Sequence, residues 1–400
     1  MANGDRASDW RTSPLNSEHR AMTERISGEV RDAGRAAEGI ATPLFICGMA
    51  RSGTTLLQRM LDGHPDLAVL PDETYAYALL MERRWSGLFV HVCEVLGIDG
   101  PKSVLAHPRM IPFAFVGRRA RRRRLAQWAG AALPGNGGAT RGVTDEIPVD
   151  FGSRGPWHPF LALYRQATGT NLAEKRYWVE KTPSNERFVP LTERFSDRRA
   201  RYLHVVRDPR DVVASHLLRT SVSGRRRRGA IVHLCYTWAS SVEAARTASR
   251  QCGERYVVVR YEEVVRHTRV VMAAVAERLG LPWDDRLLVP TERGAPAPIN
   301  SSSGEQVAPR GAVDPDRIGG HRNVLEAAES AFVADALGEQ MRSLGYDAGS
   351  PGKSEAPLRR KGTWRFRLRS ALEMGAIRRL QARAPYPDEV AWRTVDGCEP

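Results

Sequence analysis

Between Pro43 and Asp62 the chain reads PLFICGMARSGTTLLQRMLD, and this stretch constrains the fold more than any other. Leu44, Phe45, Ile46 and Cys47 form a short, continuously apolar run, the pattern of a strand buried on both faces of a parallel sheet. Gly48 and Gly53 bracket a turn, and a helix begins at Thr54 and Thr55. Leu56, Leu57, Met60 and Leu61 share one helical face, and Gly63 followed by Pro65 ends it. A strand–turn–helix of this kind aims several backbone N–H groups and the positive end of the helix dipole at one point. The hydroxyls of Thr54 and Thr55 add donors there, and Arg51 adds a forked cation. The turn reads as a cradle for phosphate or sulfate, although a glycine-bounded turn also serves as plain connection in α/β folds.

The spacing nearly satisfies the triphosphatase loop G-x-x-x-x-G-K-[ST], with Gly48 and Gly53 in place but Thr54 where the lysine belongs. No strand ends in an obvious Mg²⁺-holding aspartate; the best candidate ends at Arg207. These two departures turn the reading away from ATP or GTP hydrolysis. A second apolar strand, Tyr202 to Val206, leads into Arg207-Asp208-Pro209-Arg210-Asp211, with Asp208 suited to cap a helix and Pro209 to start it. That helix runs through Val212, Val213, Ala214, Leu217 and Leu218, with Ser215 about two turns in. Arg207 and Ser215 are placed to grip a second phosphate; a structural ion pair in the Arg-Asp-Pro turn is the alternative.

These residues resemble the sulfotransferases that use 3′-phosphoadenosine 5′-phosphosulfate (PAPS). RSGTT after an apolar strand looks like their 5′-phosphosulfate loop, which assigns Arg51, Ser52, Gly53, Thr54 and Thr55 to the cofactor. LHVVRDPRDVVASHL looks like their 3′-phosphate motif, with Arg207 followed by Ser215 at the family's spacing. Val259 to Val264 is similar to their late strand and YEDL element, and the three motifs occur in family order over about Pro43 to Asp347. Arg51 in the loop matches the bacterial and tyrosyl-protein branches. The resemblance implies a P-loop-like, three-layer α/β fold with a central parallel sheet flanked by helices.

It also implies catalytic roles. Glu73, in Pro71-Asp72-Glu73-Thr74, is similar to the tyrosyl-protein branch's general base, with one residue more in the spacer. A glutamate near pKa ~4.3 needs burial to act as a base at neutral pH. His107 and His158 stand as alternatives, and Asp72 as a simple helix cap. Lys181 follows an apolar strand, with Thr182 and Pro183 starting a helix that reaches Phe188; a lysine here in the resembling branch donates to the leaving phosphate's bridging oxygen. Catalysis would then be positioning plus fixed positive charge, with no metal required. Ser302 and Arg322 are nominal candidates for the late serine and basic loop that close the family's nucleotide site.

The organisation around this core is uneven. Residues 1–40 are polar and read as disordered; 41–348 read as the sulfotransferase domain, with 75–178 as a helical, acceptor-binding insertion. Residues 349–400 carry Trp364, Phe366, Leu368, Leu372, Ile377 and Leu380 among arginines, as a basic amphipathic tail suited to an anionic membrane surface, the main domain or a second subunit. Five scattered cysteines form no CxxC pair, which argues against a disulfide framework or zinc site. No apolar run reaches the ~18–20 residues of a membrane span and the N-terminus has no signal-peptide core, so the placement is cytoplasmic. The net charge of +14, concentrated in runs such as Arg121–Arg124 and Arg225–Arg228, steers a polyanionic cofactor but would equally attract nucleic acid. No nucleic-acid module accompanies those runs, so no specific nucleic-acid partner is expected. A kinase-like use of the cradle and non-specific nucleic-acid binding remain the alternatives. The expected acceptor is a hydroxyl of a small molecule, lipid or sugar.

Overall fold

The apolar runs at Leu44–Cys47 and Tyr202–Val206 become the middle of one sheet. A computed structural model of the chain describes residues 41–74, 76, 157–220, 222–297 and 311–348. Five strands, β1 (Thr42–Cys47), β2 (Leu67–Val69), β3 (Tyr177–Lys181), β4 (Arg201–Val206) and β5 (Tyr256–Arg260), form a wholly parallel sheet in the order β2-β3-β1-β4-β5. Parallel strands need crossovers: α1 (Thr54–Leu61) lies between β1 and β2, and α4 (Pro209–Thr220) and α5 (Gly224–Cys252) connect β4 to β5, while α6 (Tyr261–Arg266), α7 (Thr268–Leu279) and α8 (Ala327–Ser343) follow β5. Two further helices are α2 (His158–Thr168) and α3 (Val189–Phe195), and β6 (Thr291–Glu292) and β7 (Ala295–Pro296) make a small hairpin.

The two-residue alternation of the strands sorts the core into two faces. Leu44, Ile46, Val179, Leu203, Val205, Val257 and Val259 pack with Leu57, Met60 and Leu61 of α1 and with the apolar faces of α6 and α7. Leu57, Met60 and Leu61 are at most 1% exposed, worth roughly 1.5–3 kcal/mol each. The other face carries an aromatic strip, with Phe45 against Trp178 at 5.4 Å and Tyr202 at 6.0 Å, and Tyr202 against Tyr256 at 5.5 Å. The fold is the P-loop-like α/β arrangement that the motifs imply.

Because β1 is central, β2 and β3 lie to one side of it and β4 and β5 to the other. The strand order reverses next to β1, and the crevice at the carboxyl edge of such a switch point is where open α/β sheets bind ligands. The sheet belongs to a compact unit formed by residues 41–73, 173–189 and 200 onward. Residues 74–172 and 190–199 fall in another unit, whose described part includes α2 and the edge-on contact of Trp157 with Phe195 at 5.8 Å. The N-terminal 40 residues, 77–156 of the expected insertion and the tail from 349 lie outside the described residues.

One local expectation changes. After Lys181 the chain does not enter a helix at Thr182: Ser184 turns in the left-handed region (φ 74°) because its N–H donates to Gly48 O at 3.0 Å, and a 3₁₀ turn, Asn185–Phe188, follows.

Candidate active site

The turn after β1 is fixed from beneath before it meets any ligand. Gly48 sits at φ 129°, and a Cβ there would lie 2.4 Å from the carbonyl oxygen of Val205 in β4, so only glycine fits. Its N–H donates to the buried Glu186 Oε2 at 3.0 Å, and Glu186 Oε1 accepts from Ser241 Oγ at 2.7 Å. Arg51 occupies the left-handed region at φ 76°. Its Nε–H donates to Ser215 Oγ at 2.9 Å, and the neighbouring His216 donates from Nε2 to Ala50 O at 3.0 Å. The two halves of the expected nucleotide site therefore already touch.

Ser52 is buried and its N–H closes the turn on Met49 O at 3.1 Å. The first intrahelical bond of α1 runs from Leu57 N–H to Gly53 O at 3.1 Å. The N–H groups of Thr54, Thr55 and Leu56 thus lack a helical acceptor, and no side chain caps this helix. They open onto a cavity of about 220 Å³, lined by Arg51, Gly53, Thr54, Thr55, Arg207, Ser215 and Tyr261 among others. A negatively charged group is what this N-terminus is built to complete.

Arg207 forms the opposite wall. It leaves the end of β4, and Asp208 then starts α4 as expected, accepting Arg210 N–H at 2.8 Å while its own N–H donates to Glu262 Oε1 at 3.0 Å. The Arg207 guanidinium lies over the Tyr261 ring at 4.3 Å and donates to Arg317 O at 2.6 Å and Arg51 O at 3.4 Å. Its Nε is buried with no hydrogen-bond partner among the described residues. A buried donor left so is costly, and a bound phosphate oxygen would relieve it. Tyr261 also packs on the loop: a Cβ at Gly53, where φ is 103°, would come within 2.4 Å of its ring.

The third wall was not visible in the sequence. Asp211, one turn into α4, accepts from Gly319 N at 2.8 Å, His321 N at 2.9 Å and His321 Nδ1 at 2.8 Å, with Arg207 at 3.6 Å. Burial alone would raise the Asp211 carboxyl, but His321, Arg207 and the two backbone N–H groups prevail and hold it below its ordinary value. Asp211 thereby folds the late loop over the cavity, and Arg317 and His321 line it. Arg322 is exposed and does not line the cavity, and Ser302 lies outside the described residues.

Lys181 and Glu73 meet at the same sheet edge. Lys181 is the last residue of β3, paired with Ile46 of β1, and Glu73 follows β2. Lys181 Nζ donates to Glu73 Oε1 at 2.8 Å, with the side chains 4% and 22% exposed. Neither lines the cavity described above. Asp72 Oδ1 accepts the N–H of Glu73 at 2.8 Å, and the helix it would cap lies mostly outside the described residues. His158 starts α2, and His107 is outside the described residues.

The model of the sulfotransferase family matches residues 43–96 and 140–285, half of the 400-residue chain. The chain belongs to the sulfotransferase family. It is 26% identical over 250 residues to protein-tyrosine sulfotransferase A of Caenorhabditis elegans, a match covering 61% of this chain and 51% of the relative, so the chain spans about half that relative's length. Among solved structures it is similar to the sulfotransferase domain of the Synechococcus PCC 7002 olefin synthase, with 21% identity, 77% of this chain and 96% of that one covered, and a TM-score of 0.43. Sulfotransferase STF9 from Mycobacterium avium is also similar, at 14% identity, with 80% and 82% covered and a TM-score of 0.40.

Proposed function

We propose that this sulfotransferase takes its sulfuryl group from PAPS and passes it to a hydroxyl of a small-molecule, lipid or sugar acceptor. The observation that carries the donor assignment is the convergence of the uncapped α1 N-terminus and Arg207, with its orphaned Nε, on one cavity. These are donors for two separate anionic groups, which a nucleotide bearing phosphate at both 3′ and 5′ positions presents and an ordinary mononucleotide does not. Arg51, Ser52, Gly53, Thr54 and Thr55 hold the 5′ end, and Arg207 and Ser215 hold the 3′-phosphate.

When bound, PAPS supplies an activated sulfuryl group on a good leaving phosphate. The protein's part is to orient and to move one proton. Glu73 Oε accepts the proton of the acceptor hydroxyl as it attacks. Lys181 Nζ donates to the leaving oxygen, and Arg51 and the α1 N–H groups stabilise the spread negative charge. In the structure Lys181 and Glu73 hold each other at 2.8 Å, which orients both groups. The nematode relative is named for protein tyrosine, so a tyrosyl peptide belongs in any acceptor screen beside the small hydroxylic compounds. A reducing compartment, as the cytoplasmic placement supposes, suits the buried thiols Cys47, Cys235 and Cys252.

The experiment is calorimetric binding of 3′-phosphoadenosine 5′-phosphate, compared with AMP and with ATP plus Mg²⁺. The bisphosphate is expected to bind without metal and far more tightly than AMP. Arg207→Ala should weaken it by about 10- to 100-fold, the value of a charge-assisted contact of roughly 1.5–3 kcal/mol. A preference for Mg·ATP, or unchanged affinity in the variant, would overturn the assignment.

A further inference from the structure

His321 is held in a way that gives its ring one state able to bind an anion. Its side chain is 8% exposed, lines the cavity on the Arg207 side, and is fixed through Nδ1 to Asp211 at 2.8 Å. Asp211 is itself pinned by two backbone N–H groups and stands 3.6 Å from Arg207. A carboxylate can only accept, so Nδ1 carries the hydrogen and a neutral His321 presents Nε2 as a lone pair. A lone pair repels a phosphate oxygen; only the imidazolium offers Nε2–H to one.

Building on the donor assignment above, we propose that His321 is a further anion-binding residue of this site, joining Arg207 on the same phosphate of the nucleotide by binding it as the imidazolium. Nucleotide binding then takes up a proton. The charged and titratable groups that share the cavity with the ring are Asp211 and Arg207 on the α4 side, Asp314, Asp316 and Arg317 in its own loop, and Arg51, Arg59 and Tyr261, while the Arg227–Glu329 pair meets the end of that loop through Val324 O. The nearest partner, Asp211, remains charged and supports the cation, whereas the arginines oppose it until an anion arrives. The incoming phosphate therefore tips the balance toward protonation.

The test measures the binding enthalpy of 3′-phosphoadenosine 5′-phosphate in buffers of different ionisation enthalpy, which counts the protons exchanged, with wild type and His321→Gln. Protons lost or gained by the nucleotide's own phosphates are common to both proteins and cancel in the difference. The expected result is that wild type takes up more protons than the variant, by up to about one. Its affinity should exceed the variant's by about tenfold at pH 6 and by less than about threefold at pH 8.5. AMP, which lacks the 3′-phosphate, should bind both proteins equally. Equal proton counts in the two proteins, with tight bisphosphate binding retained, would overturn the role of His321 alone. Failure of wild type to distinguish the bisphosphate from AMP would overturn the donor assignment and this inference with it. If His321→Gln shows no cooperative melting, His321→Asn gives the same reading: proton uptake should fall, and undiminished uptake refutes the proposal.

Discussion

Gly48→Ala should be among the most damaging single-methyl additions this chain can receive. The added Cβ would stand 2.4 Å from the main-chain oxygen of Val205, well inside any normal carbon–oxygen contact, at a backbone φ of 129°. Neither party can step aside. Val205 lies within β4, paired in register with β5, and Gly48 is tethered through its N–H to Glu186 and through its oxygen to Ser184 N–H. Overpacking costs about 1–3 kcal/mol and the unfavourable backbone region about 1–3 kcal/mol more, so the loss should fall at about 2–6 kcal/mol. That is a large share of the ~5–15 kcal/mol that holds a domain together. Gly294→Ala is the internal control, with a similarly positive φ of 73° but no atom within 4 Å of the new methyl. It should lose only about 1–2 kcal/mol, the left-handed backbone cost alone. Urea unfolding followed by circular dichroism, with both variants beside wild type, measures the difference. Equal losses in the two variants would show that the close approach to Val205 contributes nothing, and the reasoning would fail.

Gly53→Ala should act differently, because its methyl meets the Tyr261 ring rather than main chain: bisphosphate affinity should fall by about tenfold or more while the urea midpoint moves less than in Gly48→Ala, and titration calorimetry on both variants decides it. Glu73→Gln should reduce turnover by about 10²–10⁴-fold with cofactor affinity retained, as expected for loss of a general base; retained turnover would move that role to another side chain. Asp211→Asn tests the linkage of stability to pH. Asp211 is held below its ordinary value, so its stabilisation is fully present above the unfolded carboxylate value near ~3.9 and is lost as pH falls through the lower folded value. Wild type should therefore exceed the variant in urea midpoint at pH 5 and above, with the gap closing in strong acid, and a gap unchanged at the lowest pH that retains a folded protein would contradict it.

The parts of the fold legible in the sequence are those whose signals are local. The β1 run, the α1 face from Leu56 to Leu61 and the Asp208-Pro209 start of α4 each lie within a dozen residues, and propensity, capping and pattern agree there. The Arg51–Ser215 contact follows from two such motifs standing at neighbouring strand ends. Contacts made through space across long separations left no comparable mark. Nothing near Asp211 announces His321 as its partner, and Lys181 and Glu73 gave no sign that they would pair with each other. The late loop shows a third kind of opacity. Its 3₁₀ turns, Pro315–Arg317 and Gly320–Asn323, are too short to carry a readable period, so the sequence offered Arg322 where the folded loop turns Arg317 and His321 to the cavity.

The Tyr261 ring, wedged between Gly53 and the Arg207 guanidinium, has a consequence for moving this loop between proteins. The RSGTT segment is not a self-contained cassette. Its glycine is shaped by an aromatic ring that the chain delivers only after β5, and the Arg207 guanidinium lies over that same ring. A designer transplanting the segment onto another parallel sheet must carry Tyr261 and Arg207 with it as a matched set. A host with a smaller residue in place of the tyrosine would relieve the steric contact at position 53 but not its positive φ, and would leave the arginine without its platform.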